Sequence, residues 1–217
     1  MLSYYAQLVR SKYHFTIGLV AYLSFQIERY LAILLLDDSS LALFFRVASI
    51  ASILGQFFTI LCFNRVVKLI YDYFRSSVPY MANSTIIREL GFCSLITLSA
   101  SLMYWFFRPF LDYYLPSSLP SPALFTLATL PLLVRLAFDF LCLKLNYIRK
   151  EMTILVYRLL AVIAVLLFSL VLFPKFEIQG LFLGALGGFS LLTLMLALHT
   201  HRLDFPSPSI QKHVASK

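Results

Sequence analysis

Six charged side chains lie inside stretches that are otherwise apolar: Glu28 and Arg29, Arg46, Arg135 and Asp139, and Arg158. A charge at the centre of a membrane helix costs about 2.5–3.5 kcal/mol on insertion scales, so such residues pair, line a wet cavity or hold a ligand. Arg135 and Asp139 are four apart and share a helix face, which permits an ion pair with a purely structural role. Glu28 and Arg29 are adjacent, about 100° apart around a helix, so at least one must meet another helix or water. Four guanidiniums stand against two carboxylates. If they converge, the excess positive charge makes an anion site, and the guanidinium fork matches the oxygens of a phosphate. The competing expectation is that Arg46 and Arg158, each near the end of its apolar run, extend to opposite membrane surfaces along their aliphatic stems. Gln26 and Gln56 are candidates for a polar interhelical network beside them.

The elements that must position these groups are membrane helices. The 217 residues are 60% hydrophobic, 16% aromatic and only 13% charged, and the mean hydropathy is +0.84, outside the range of soluble domains. Apolar runs of about 20 residues fall at roughly 14–36, 40–63, 90–108, 122–143, 152–173 and 178–199. The expected fold is therefore all-α: a polytopic membrane protein of about six transmembrane helices, forming one bundle over residues 1–203. Residues 204–217, DFPSPSIQKHVASK, are rich in Pro and Ser and read as a disordered cytoplasmic tail. The first run carries Glu28 and Arg29 and has no small-residue cleavage site, so it is expected to be retained rather than removed as a signal peptide. No separate soluble domain is left to house an enzyme, and none is expected.

The net charge of +8 is explained by topology rather than by a nucleic-acid partner. With the amino terminus inside, the inner segments carry twelve basic residues: Arg10, Lys12, Arg65, Lys68, Arg75, Arg88, Lys144, Arg149, Lys150, Arg202, Lys212 and Lys217. The outer segments carry Arg108 and Lys175, and the first outer turn is Asp37-Asp38. This asymmetry predicts both termini in the cytoplasm. The longest connection, 64–89, is an inner loop whose YDYF and PYM aromatics belong at headgroup level beside its basic residues.

Four of the seven glycines fall in PKFEIQGLFLGALGGF, residues 174–189. A phosphate-cradling turn would need a preceding strand, a polar helix mouth and usually a Lys, and none of these is present. Gly180, Gly184 and Gly188 recur every four residues, so they line one helix face and let a neighbouring backbone approach. Pro174 closes the fifth run just before a tight KFE turn. Cys62, Cys93 and Cys142 lie at inner helix ends and read as small packing residues, not a disulfide framework. His199 and His201 have no metal-ligand spacing and suit a helix end; neither a metal nor a cofactor is expected. The sequon Asn83-Ser84-Thr85 falls on the inner side, where glycosylation is not expected.

Two longer stretches carry a resemblance. QIERYLAILLLDDSSLALFFRVASIASIL (26–54) places an acidic residue beside a basic one, then a short outer turn and a second apolar helix. LNYIRKEMTILVYRLLAVIAVLLFSLVLFPKFEIQGLFLGAL (145–186) runs from a basic loop through a helix to Pro, an aromatic and a G-x-x-x-G-A pattern. In this order of features the chain resembles one half, the carboxy-terminal six helices, of Wzx-type polysaccharide flippases of the multidrug/oligosaccharidyl-lipid/polysaccharide exporter superfamily. Two departures stand out: the family's glycine in the first outer turn is replaced by Asp37-Asp38-Ser39-Ser40, and family members have about twelve helices in two halves.

The resemblance implies movement of an undecaprenyl-diphosphate-linked oligosaccharide across the bacterial inner membrane, with no covalent chemistry. It implies Arg29, Arg46 and Arg135 as the diphosphate-binding residues and Glu28 or Asp139 as counter-ion or proton-coupling group. Its partners would be membrane lipid, the lipid-linked glycan, and either a second copy of the chain or a second six-helix subunit that completes the cavity. The alternatives are a non-transporting accessory or structural membrane protein, a truncated flippase, and, ranked last, a membrane enzyme acting on lipid phosphates, for which the loops lack paired acidic motifs.

Overall fold

A computed structural model describes residues 2–58, 60–61, 64–75, 80–114, 120–147 and 150–203, and no strand occurs among them. The helices are α1 (Leu2–Leu35), α2 (Asp38–Phe58), α3 (Asn64–Arg75), α4 (Tyr80–Tyr114), α5 (Pro122–Tyr147) and α6 (Glu151–Leu203). Within α2, α4, α5 and α6 lie four helices long and apolar enough to cross a membrane; α1 adds a fifth if its two arms, His14–Ser24 and Gln26–Leu35, form one span bent by 42°. Many large apolar side chains are exposed on these helices, among them Phe92, Leu95, Leu98, Met103, Trp105 and Phe106 along α4, as lipid-facing surfaces require.

The run Glu151–Leu203 is not one rod. Its backbone leaves helical geometry at Glu177, with φ 48° and ψ −123°. Ser169 and Gly184 would be about 22 Å apart along a straight helix, yet a Cβ built on Gly184 would lie 2.5 Å from the Ser169 backbone nitrogen. The rings of Tyr157 and His199 likewise meet at 5.7 Å. The chain therefore folds back, and its arms, 151–176 and 178–203, coincide with the apolar runs 152–173 and 178–199. Gly180, Gly184 and Gly188 set the spacing of the arms. Each presents its missing side chain to the opposite backbone, at Leu172, Ser169 and Val165 respectively.

Three buried clusters organise the rest. One joins α5 to both arms of α6 through Phe138, Cys142, Leu145, Ile154, Ala161, Val165, Phe189 and Leu196. A second, of Leu31, Ala32, Phe44, Val47, Ala51, Leu124, Ala128, Leu181 and Phe182, brings α1 and α2 against α5 and the returning arm of α6. The third, Val66, Ile86, Cys93, Leu136 and Phe140, fastens α3 and α4 to α5.

The segment 64–89, expected to be a loop, is mostly helical: it contains α3 and the first turns of α4. The reason is amphipathicity. Val66 is fully buried against α4 and α5 while Arg65, Lys68 and Asp72 are exposed, the pattern of a helix with one apolar face packed and one polar face outward. Glu89, 4% exposed, is held by Arg88 at 3.2 Å and Arg65 at 3.8 Å, which ties the helices together. Asn83 of the sequon has helical backbone and Thr85 is buried. Cys93 and Cys142 are buried free thiols. Cys62 and the tail 204–217 lie outside the described residues.

Candidate functional site

The site is built where α1 bends. The Ser24 hydroxyl donates to the Ala21 carbonyl at 2.7 Å, and the Arg135 guanidinium of α5 donates to the same oxygen at 3.3 Å. A side chain that bonds into the backbone ladder of a neighbouring helix is a recognised cause of a sharp kink. Just past the bend, Glu28 and Arg29 turn toward α2 and α5. Arg29 donates to the Ser52 hydroxyl at 2.9 Å, and Ser52 in turn donates to the Ala48 carbonyl at 2.7 Å.

Glu28, Arg29 and Arg135 thus line one cavity, whose walls are Phe44, Ala48, Ala51 and Ser52 of α2, Ala128, Pro131 and Leu132 of α5, and Phe182 and Phe189 of α6. The guanidinium of Arg135 also lies over the Phe189 ring, 5.8 Å from its centroid. The cavity volume is about 40 Å³, room for about three waters. Arg29 and Arg135 come from different helices and outnumber Glu28, so the cavity has a net positive lining.

One turn along α5, Asp139 is shared between two arginines. Arg158 of α6 donates to it at 2.8 Å, whereas Arg135 approaches only to 3.9 Å. The Arg158 guanidinium lies over the Phe138 ring at 5.7 Å, and its Nε is buried with no hydrogen-bond partner. Arg158 is therefore drawn inward across the α5–α6 interface, not outward along its stem to a membrane surface. Beside the pair is a second cavity of about 130 Å³, lined by His14, Cys142, Asn146 and Ile154 among others.

The remaining candidates lie elsewhere. Arg46 is exposed and does not line the cavity. On α2 the lining residues Phe44, Ala48, Ala51 and Ser52 follow one helical face, and Arg46 sits about 200° round from Phe44. Gln56 is exposed and Gln26 half-buried. No group of three or more His, Cys, Asp or Glu suited to a metal occurs among the described residues.

Two contributors escape sequence reasoning. Ser52 is one serine among many in apolar helices, and only the packing of α1 on α2 gives it a role. The Arg158–Asp139 pair had a usable signal: the residues lie ten before and nine after Arg149, so a hairpin closing there sets them opposite each other. No family model, no curated protein and no solved structure matches the chain.

Proposed function

We propose that the protein is a membrane transporter unit that carries a lipid-linked, phosphate-bearing substrate, with Arg29 and Arg135 as the anion site and Glu28 as their counter-ion. The observation that supports this reading is the convergence of Glu28, Arg29 and Arg135 on one cavity beside the bend in α1. Broken helices at polar midplane cavities are the usual architecture of transporter sites. In this reading the chain makes six crossings, counting bent α1, α2, α4, α5 and the two arms of α6 separately, with both termini cytoplasmic by the distribution of basic residues. The sequence resemblance narrows the substrate to an undecaprenyl-diphosphate-linked oligosaccharide and the membrane to the bacterial inner membrane.

A cavity of about 40 Å³ is far too small for a diphosphate and its first sugar. Transport therefore requires the α1–α2 pair to part from α5 and α6, and a second copy or subunit to complete the enclosure. No bond in the substrate is made or broken. The test is the pool of lipid-linked oligosaccharide in the host, read beside its surface glycan. Loss of the gene should raise the pool and remove the glycan. Arg135→Ala, at normal abundance, should reproduce that phenotype. An unchanged pool without the gene would refute the transport reading.

One observation favours a second, structural reading for the neighbouring pair. Arg158 and Asp139 contact at 2.8 Å within the packed α5–α6 interface, and this pair joins helices whether or not anything is carried. If the whole cluster is structural, alanine at Arg29 or Arg135 lowers abundance and activity together.

A further inference from the structure

On the far side of α5 from the charged cavity lies a larger groove of about 340 Å³, within the roughly 300–1,000 Å³ range of small-ligand sites. The α5 residues that line it, Ala137, Leu141 and Lys144, sit about 180–240° round the helix from Arg135. Ile86, Ile87 and Leu90 of α4 form one wall, and Thr193, Ala197, Thr200 and His201 of the returning α6 arm form the other. The groove is apolar along its length, with an ammonium and an imidazole among its lining. Lys144 is only 3% exposed.

The charge around Lys144 and His201 is one-sided. Glu89 is already engaged by Arg65 and Arg88. With Lys68, Arg75 and Lys144, these make five cations against Glu89 and Asp72 on α3, the start of α4 and the end of α5. A basic cluster at one end of an apolar crevice open to the bilayer matches a ligand with an anionic head and a hydrocarbon chain.

We propose that this groove is a site for an anionic membrane phospholipid. One acyl chain lies against Ile86, Ile87, Leu90 and Leu141, and the phosphate is held by Lys144 and His201. The site is separate from the transport reading: it uses none of Glu28, Arg29 or Arg135, and either can fail without the other.

The experiment uses the full chain reconstituted in bilayers of phosphatidylethanolamine and phosphatidylglycerol at 3:1, extracted in neutral detergent, with retained lipid counted by mass spectrometry. The wild type should retain about one phosphatidylglycerol per chain, enriched at least tenfold over the bilayer ratio. Ala197→Phe, which fills the groove, should abolish retention. Lys144→Gln should keep a lipid but lose the preference, so that both lipids appear in the bilayer ratio. Ala137→Phe fills the same groove from α5 and serves if Ala197→Phe does not fold. Retention by the wild type in the bilayer ratio would overturn the proposal. So would unchanged phosphatidylglycerol on a folded groove-filled variant, because the lipid would then sit elsewhere on the basic surface.

Discussion

Alanine at Gly184 separates two opposed physical effects. In an open position on a helix, Gly→Ala stabilises by about 0.5–1 kcal/mol, because alanine loses less backbone freedom on folding. Gly91 in α4 is such a position: a Cβ there meets nothing within 4 Å. At Gly184 the new methyl would lie 2.5 Å from the Ser169 backbone nitrogen and Cα, about 1 Å inside ordinary contact. The obstacle is main chain, which cannot rotate aside, so the arms of α6 must separate. Overpacking of this kind costs about 1–3 kcal/mol. Separation by about 1 Å also forfeits a quarter to a half of each facing dispersion contact, which places the cost toward the upper end. The propensity gain is common to both variants and cancels between them. Gly184→Ala is therefore expected to be about 2–3 kcal/mol less stable than Gly91→Ala. Reversible unfolding by SDS in mixed micelles, followed by circular dichroism, measures the difference. If the two variants gain stability equally, the arms do not pack through the glycine face and the reversal at Glu177 is wrong.

Arg158→Met leaves Asp139 without its 2.8 Å partner in a packed interface and should cost about 3–5 kcal/mol; adding Asp139→Asn should recover most of it in a double-mutant cycle by the same unfolding assay. Glu177 holds φ 48° and ψ −123°, the geometry of the first central residue of a type II′ turn, where glycine is favoured. Glu177→Gly should therefore stabilise by about 1 kcal/mol in that assay. On the transport reading, Arg46→Ala should leave complementation intact while Arg135→Ala abolishes it at equal abundance, since Arg135 lines the cavity and Arg46 does not. Asp37, exposed at the start of α2, has its carboxyl lowered to about 2, chiefly by the Ser39 hydroxyl and then by that of Ser40. A depressed folded value means that this cap contributes above the unfolded value of 3.8 and is lost as pH falls through about 2. Ser39→Ala should move the Asp37 carboxyl titration, followed by NMR, back toward 3.8.

Much of the site's raw material was legible before any fold was known, because charges inside apolar runs are conspicuous. Glu28, Arg29, Arg135 and Asp139 stand out by that contrast alone. Which of them meet was not legible, since hydropathy sets only which residues enter the membrane and leaves open how each helix is rotated about its axis. Arg46 illustrates the gap: it is as conspicuous in sequence as Arg29, but the face of α2 that packs inward is the one carrying Phe44, Ala48, Ala51 and Ser52. The helix within 64–89 is hidden in the sequence for a different reason. Its mixed charges and aromatics resemble a loop in composition, and only its period, with Val66 inward and Arg65 and Lys68 outward, marks it as amphipathic.

That the chain is helical and suited to a bilayer follows from its residues alone. Its long apolar runs can satisfy their backbone hydrogen bonds in lipid only within a helix or a closed barrel, and runs of about 20 residues match the helix length. The same residues determine that one face of the last run is stripped of side chains, since a four-residue period of glycine is a property of the helix alone. The pairing of the charges is set by how the helices pack. Asp139 could have closed on Arg135 within α5, but it is 2.8 Å from Arg158 across the hairpin and 3.9 Å from Arg135. The guanidinium of Arg135 reaches instead to the Ala21 carbonyl at the bend of α1. Contacts between helices depend on register and rotation, which are set by the packing of whole faces, so the sequence offers candidate partners without choosing among them.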